Sequence, residues 1–101
     1  MGWGSTYGAM RDAVDRLNQA GTKANLLHFV DVWPFPETKA APLIEAARTL
    51  IAVEGNQTGQ FAHLVRATTG RRADHLVLRW DGRPLSADYI VAHLKEAKAH
   101  A

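Results

Sequence analysis

Apolar positions along the chain change period several times, and each change marks an element. Tyr7, Met10, Val14 and Leu17 recur at helical spacing with Ala13 on the same side, which predicts an amphipathic helix over about residues 7–19. Ser5 or Thr6 stands where an N-cap hydroxyl accepts a free N–H of the first turn, and Gly21 follows as a stop. The run from Ala24 to Val32 is nearly all apolar, the pattern of a central parallel strand buried on both faces. Trp33-Pro34-Phe35-Pro36 cannot be helical, because each proline forces its preceding residue toward extended geometry. A second helix is predicted from near Thr38 to near Arg48. Pro42 would then fall in or just after its first turn, where a missing N–H costs least.

The segment Thr49 to Val53 is rich in β-branched residues and reads as a strand that ends at Glu54-Gly55-Asn56-Gln57. A helix resumes at Thr58 or Gly59, with Phe61, Leu64, Val65 and Thr68 on its inner face and Gly70 as its end. His75 to Trp80 reads as a third interior strand, followed by an Asp81-Gly82 turn. Ser86 is placed to cap a last helix that carries Tyr89, Ile90, His93, Leu94 and Ala97 inward. Strands separated by helices imply right-handed crossovers. The expected fold is a single α/β domain over 1–101, a three-layer α/β/α sandwich with a mostly parallel sheet of four to five strands. Its first strand must lie within Met1–Trp3, so it is expected to be a short or truncated edge strand.

Composition narrows the chemistry. The 101 residues suffice for one core. With no cysteine, the chain alone has no thiolate nucleophile, disulfide, Cys-ligated zinc site or iron–sulfur cluster. No charged stretch followed by an apolar run opens the chain, and the apolar runs fall far below the roughly 20 residues that span a bilayer. A cytoplasmic protein with no membrane contact is expected. The isoelectric point near 9.3 invites a nucleic-acid reading. Yet the net charge is only +2, and the basic residues are interleaved with ten acids. The clustered Lys/Arg of a nucleic-acid surface is missing.

Ligands of open parallel sheets gather at the C-terminal ends of strands. Three segments fall there: Gly2 to Thr6, Trp33 to Pro36, and Glu54 to Gln60. Together they make Ser5, Thr6, Trp33, Phe35, Glu54, Asn56, Thr58, Gly59 and Gln60 a candidate interface or anion-binding rim. The Ser5-Thr6 helix start favours anions, although neither GxxxxGK[ST] nor a full GxGxxG occurs. In the Glu54–Gln60 run, Asn56 can bond its own backbone and Thr58 can cap the next helix. Glu54 could be a general base with Gln60 as a substrate amide. Equally, the run could be a hydrogen-bonded turn holding one edge of the domain against a neighbour. The second reading is preferred, since only Asp31 offers an acidic companion. The five histidines show no HxH or HxxxH spacing, so no metal site is expected. Trp33, Phe35 and Trp80 could stack on a ligand or bury at an interface.

Four segments, GWGSTYGAMRDAV, LLHFVDVWPFP, IAVEGNQTGQFAHLVR and the DGRP turn of Asp81 to Pro84, together resemble one family. It is the C-terminal region of 2-oxoacid:ferredoxin oxidoreductase alpha subunits, most of all the 2-oxoglutarate type. The E-x-N-x-T-G-Q run is the most specific part. The resemblance implies a transketolase C-terminal-like domain with a mixed five-stranded sheet whose edge strand runs antiparallel. It also implies a fragment of a longer subunit, acting in packing and assembly rather than catalysis. The whole enzyme would oxidatively decarboxylate a 2-oxoacid to acyl-CoA and pass electrons to ferredoxin. It would use thiamine diphosphate, magnesium, an iron–sulfur cluster and coenzyme A, none of them bound by this chain. Expected partners are the rest of the alpha subunit and the beta subunit. No catalytic residue is carried over. The alternative is a free-standing module that binds a small anion at the strand ends.

Overall fold

The computed structural model describes residues 1–30 and 36–99. The elements run β1 (Gly2–Trp3), a single 3-10 turn (Gly4–Thr6), α1 (Tyr7–Gln19), β2 (His28–Phe29), α2 (Glu37–Ala46), β3 (Ile51–Glu54), α3 (Gln60–Thr69), β4 (His75–Leu78) and α4 (Ala87–Ala99). β1 pairs in parallel with β2, Gly2 opposite His28, and β3 pairs in parallel with β4, Ile51 opposite His75. Two bonds through Met1 join the pairs: its nitrogen donates to the Ile51 carbonyl (2.5 Å), and its carbonyl accepts from the Val53 N–H (2.9 Å). The strand order is therefore β2-β1-β3-β4, all parallel. β1 is as short as the sequence suggests, but it lies in the middle of the sheet.

Alternation along β3 divides the core into two layers. Val53 points to one face, where it packs with Met10, Ala13, Val77, Ala87 and Ile90 beneath α1 and α4. Leu50 belongs to the opposite cluster with Phe29, Ala40, Ile44, Phe61 and Val65 beneath α2 and α3. The result is the expected α/β/α sandwich. Arg16 on α1 also pairs with Asp88 on α4 across the first helix layer.

Several local expectations are corrected. The Ala24–Val32 run is not a central strand. Only His28 and Phe29 pair within the described residues, at a sheet edge, and Val30 is 85% exposed. Positions 31 and 32 lie outside the described residues. The second helix starts at Glu37, one residue before the expected Thr38, and Pro42 falls just after its first turn as expected. The third helix starts at Gln60, two residues after Thr58. Ser86 does cap α4, its hydroxyl accepting the Tyr89 N–H at 3.2 Å. Ile90 is buried and Tyr89, His93 and Leu94 are half-buried as expected, while the side chain of Ala97 lies outside the described residues.

Gly2 shows why β1 tolerates no side chain. A Cβ there would stand 2.5 Å from Met10 Sδ and 2.8 Å from the Thr6 hydroxyl oxygen. The missing side chain lets α1 close directly onto the strand that feeds it.

Candidate functional site

After β1 the chain turns to one side to make β2, then crosses to the other side to make β3. The ends of β1 and β3 therefore flank the point where strand order reverses, the usual crevice for ligands in open parallel sheets. Glu54 closes β3 on the α3 side, and it is fully buried. Burying a carboxylate is costly unless hydrogen bonds replace its water. Three donors do so here. Oε1 accepts from Phe61 N–H at 2.6 Å and from the Asn56 side-chain amide at 3.0 Å, and Oε2 accepts from Ala62 N–H at 3.1 Å.

Asn56 completes the arrangement. Its Oδ1 accepts from Gly59 N–H at 2.8 Å and Gln60 N–H at 3.2 Å. A helix start leaves its first backbone N–H groups without intrahelical partners. At α3, the N–H groups of residues 59 to 62 are all taken by Glu54 and Asn56 side chains, and His63 N–H reaches the Gly59 carbonyl. The buried negative charge also lies at the positive end of the helix dipole. Gly59, at φ +65°, makes the turn that brings both side chains under the helix. Thr58 does not cap: it is exposed, as is Gln60, because the left-handed turn at Gly59 carries Thr58 outward.

At β1 the expected hydroxyl cap is replaced by a different bond. Thr6 is buried, and its hydroxyl donates back to the Trp3 carbonyl at 2.8 Å, closing the 3-10 turn instead of accepting from α1. Ser5 is exposed beside it. The two strand ends meet through rings: Trp3 lies 6.5 Å from Phe61, and Phe61 lies 4.9 Å from Phe29. The structure thus gathers Glu54, Asn56 and Gly59 at the start of α3 with Thr58 and Gln60 exposed beside them, while Thr6 is buried next to Gly2 and Met10 on the α1 face and Ser5 is exposed. Trp33, Phe35 and Asp31 lie outside the described residues. Two neighbours were not legible from the sequence. Leu76 of β4 packs against Gly59, and His28 Nε2 bonds the Gly4 carbonyl at 3.0 Å. Both depend on strand order.

No group of three or more His, Cys, Asp or Glu side chains is placed to hold a metal among the described residues. Nor is any helix among them long and apolar enough to cross a membrane. The closing turn after β4 matches the sequence reading. Asp81 accepts from Arg79 Nε at 3.0 Å and from Arg83 N–H at 3.1 Å, which hold its carboxyl below the usual carboxylate range.

Comparison with known proteins gives a consistent picture. Residues 1–90 match the family described as pyruvate:ferredoxin oxidoreductase core domain II. The 2-oxoacid:ferredoxin oxidoreductase subunit alpha of Saccharolobus solfataricus is 33% identical over 93 residues, which cover 92% of this chain and 15% of that protein. A structure of 2-oxoglutarate:ferredoxin oxidoreductase from Magnetococcus marinus, with 2-oxoglutarate, coenzyme A and succinyl-CoA bound, superposes with a TM-score of 0.84 at 30% identity. It aligns over 94% of this chain and 16% of its own. The crystal structure of the alpha chain of a probable 2-oxoacid ferredoxin oxidoreductase from Thermoplasma acidophilum matches with a TM-score of 0.60 at 33% identity, over 94% of this chain and 82% of that one. The chain spans about 15% of the length of the first of these relatives.

Proposed function

The chain belongs to the pyruvate:ferredoxin oxidoreductase core domain II family, and from that premise we propose that it is a non-catalytic assembly domain of a 2-oxoacid:ferredoxin oxidoreductase alpha subunit. One observation carries the proposal. Glu54, the acid at the switch point, has its carboxylate engaged by three donors inside the domain and is shut off from solvent. A general base must reach the proton it abstracts, and this one faces its own helix.

The same geometry bears on the alternative, a free-standing module that binds a small anion at the strand ends, where residues 56–60 are one of its two candidate places and Ser5-Thr6 the other. At the former, an incoming phosphate or carboxylate would have to displace Glu54 and Asn56 from the four N–H groups they hold. That leaves the exposed side chains of the rim, Ser5, Thr58 and Gln60, as a surface for docking against the rest of the alpha subunit or the beta subunit.

In the complete enzyme the reaction is oxidative decarboxylation of a 2-oxoacid, 2-oxoglutarate by preference, with transfer to coenzyme A and electrons to ferredoxin. Thiamine diphosphate, magnesium and an iron–sulfur cluster supply that chemistry. The residues here do not fit those groups: there is no thiolate for a cluster, and no set of acids converges on a cation among the described residues. No step is therefore assigned to this domain.

Two measurements test the proposal. Calorimetric titration of the chain with thiamine diphosphate and Mg²⁺ is expected to show no binding. Replacing Thr58 by Arg in an alpha–beta complex is expected to reduce assembly, measured by sedimentation, while leaving the melting temperature of the isolated chain unchanged. Tight thiamine diphosphate binding, or normal assembly of the variant, would overturn it.

A further inference from the structure

A groove of about 360 Å³ runs along α1, between that helix and residues 24–28 that lead into β2. It lies outside the Glu54–Asn56 crevice. Val14 and Leu26 line it as apolar wall, and Tyr7, Arg11 and His28 contribute polar groups. These three residues are joined to one another. Arg11 donates to the Tyr7 hydroxyl at 3.2 Å, and the His28 ring meets the Tyr7 ring edge-on with centroids 5.1 Å apart.

Two of the three keep hydrogen-bond donors to give. The Gly4 carbonyl can only accept, so the His28 Nε2 that it meets carries the proton, and in the neutral ring Nδ1 can only accept; His28 thus fixes the Tyr7 ring and offers an anion no donor. The Tyr7 hydroxyl already accepts from Arg11, which leaves its own proton to donate. Arg11 spends one N–H on Tyr7, and its ion-pair partner among the described residues, Asp15, stands 3.9 Å from Nε, beyond hydrogen-bonding reach. The guanidinium therefore keeps donors in the fork geometry that suits carboxylate and phosphate. At the far end, Asn18 closes the groove by bonding both the N–H and the carbonyl of Ala24, each at 3.0 Å.

We propose that this groove binds a small organic anion, a carboxylate or phosphate head at Arg11 and Tyr7 with a short apolar body along Val14 and Leu26. The Arg11 side chain is 61% exposed, so water competes for its donors and the affinity is weak, in the millimolar range. This inference does not depend on the family assignment, because every contact that it uses is within the chain.

The test is an NMR titration of the ¹⁵N-labelled chain with butyrate and, separately, with monobutyl phosphate. Saturable shifts are expected at the amides of residues 7–14 and 24–28. The tighter of the two ligands identifies the head group. Arg11→Gln is expected to weaken binding about tenfold, the size of one charge-assisted contact. Tyr7→Phe removes only an exposed hydroxyl and is expected to weaken binding several-fold without changing the fold. Shifts that do not saturate, that centre on residues 54–62, or that are unchanged in Arg11→Gln would overturn the proposal.

Discussion

Asn56 does two jobs with one side chain, its oxygen holding two backbone N–H groups and its amide holding Glu54. Truncating it removes all three bonds and leaves a buried carboxylate short of a donor. Asn56→Ala should therefore lower stability by about 1–3 kcal/mol, read from urea unfolding. A second carboxylate works at the opposite end of the sheet. Asp74 accepts from Leu50 N–H at 2.7 Å and from Arg71 at 2.9 Å. Those bonds, the Leu50 contact foremost, hold its carboxyl below the ordinary aspartate value. Because the ionised form is favoured in the folded state, its contribution is present above the ordinary aspartate range. It is lost as pH falls through the lowered value. Asp74→Asn should then be less stable than the parent near neutral pH, by about 1 kcal/mol or less since the side chain is partly exposed. In acid the two unfolding curves should converge.

Among elements, the strands separate what the sequence discloses from what it conceals. Helices α1, α3 and α4 were legible because spacing, Gly70 and Ser86 mark their faces and ends. β2 was misread for a physical reason. Leu26 and Leu27 are half-buried by packing before the strand begins, and apolar content reports burial, not pairing. β1 is the converse. Two residues carry no periodicity, yet pairing with β2 on one side and the bonds of the adjoining Met1 to β3 on the other make the strand central. The Glu54 cap was only half legible: the residue types announced a hydrogen-bonded turn, but the left-handed turn at Gly59 decided that residues 54 and 56, rather than Thr58, do the capping. The closeness of β1 to α1 can be tested at Gly2. Gly2→Ala puts a methyl into Met10 and should cost about 1–3 kcal/mol, the usual price of overpacking, in thermal or urea unfolding.

At the scale of the whole molecule, the four parallel strands of the described residues and the helix layers on either side place a fully satisfied carboxylate where related architectures put ligands. The domain's acid thereby serves its own fold, and the proposed function assigns the exposed rim to neighbouring parts of the enzyme. The central claim is that Glu54 is structural. It is tested most directly by Glu54→Gln in a complete alpha–beta complex, with melting temperature and turnover per assembled complex measured on the same sample. A glutamine has one oxygen for the work of two, so the account predicts a loss of about 2–3 kcal/mol in domain stability with turnover within about twofold of the parent, well under the 1.36 kcal/mol that a tenfold rate change represents. An unchanged melting temperature with turnover reduced by orders of magnitude would contradict it.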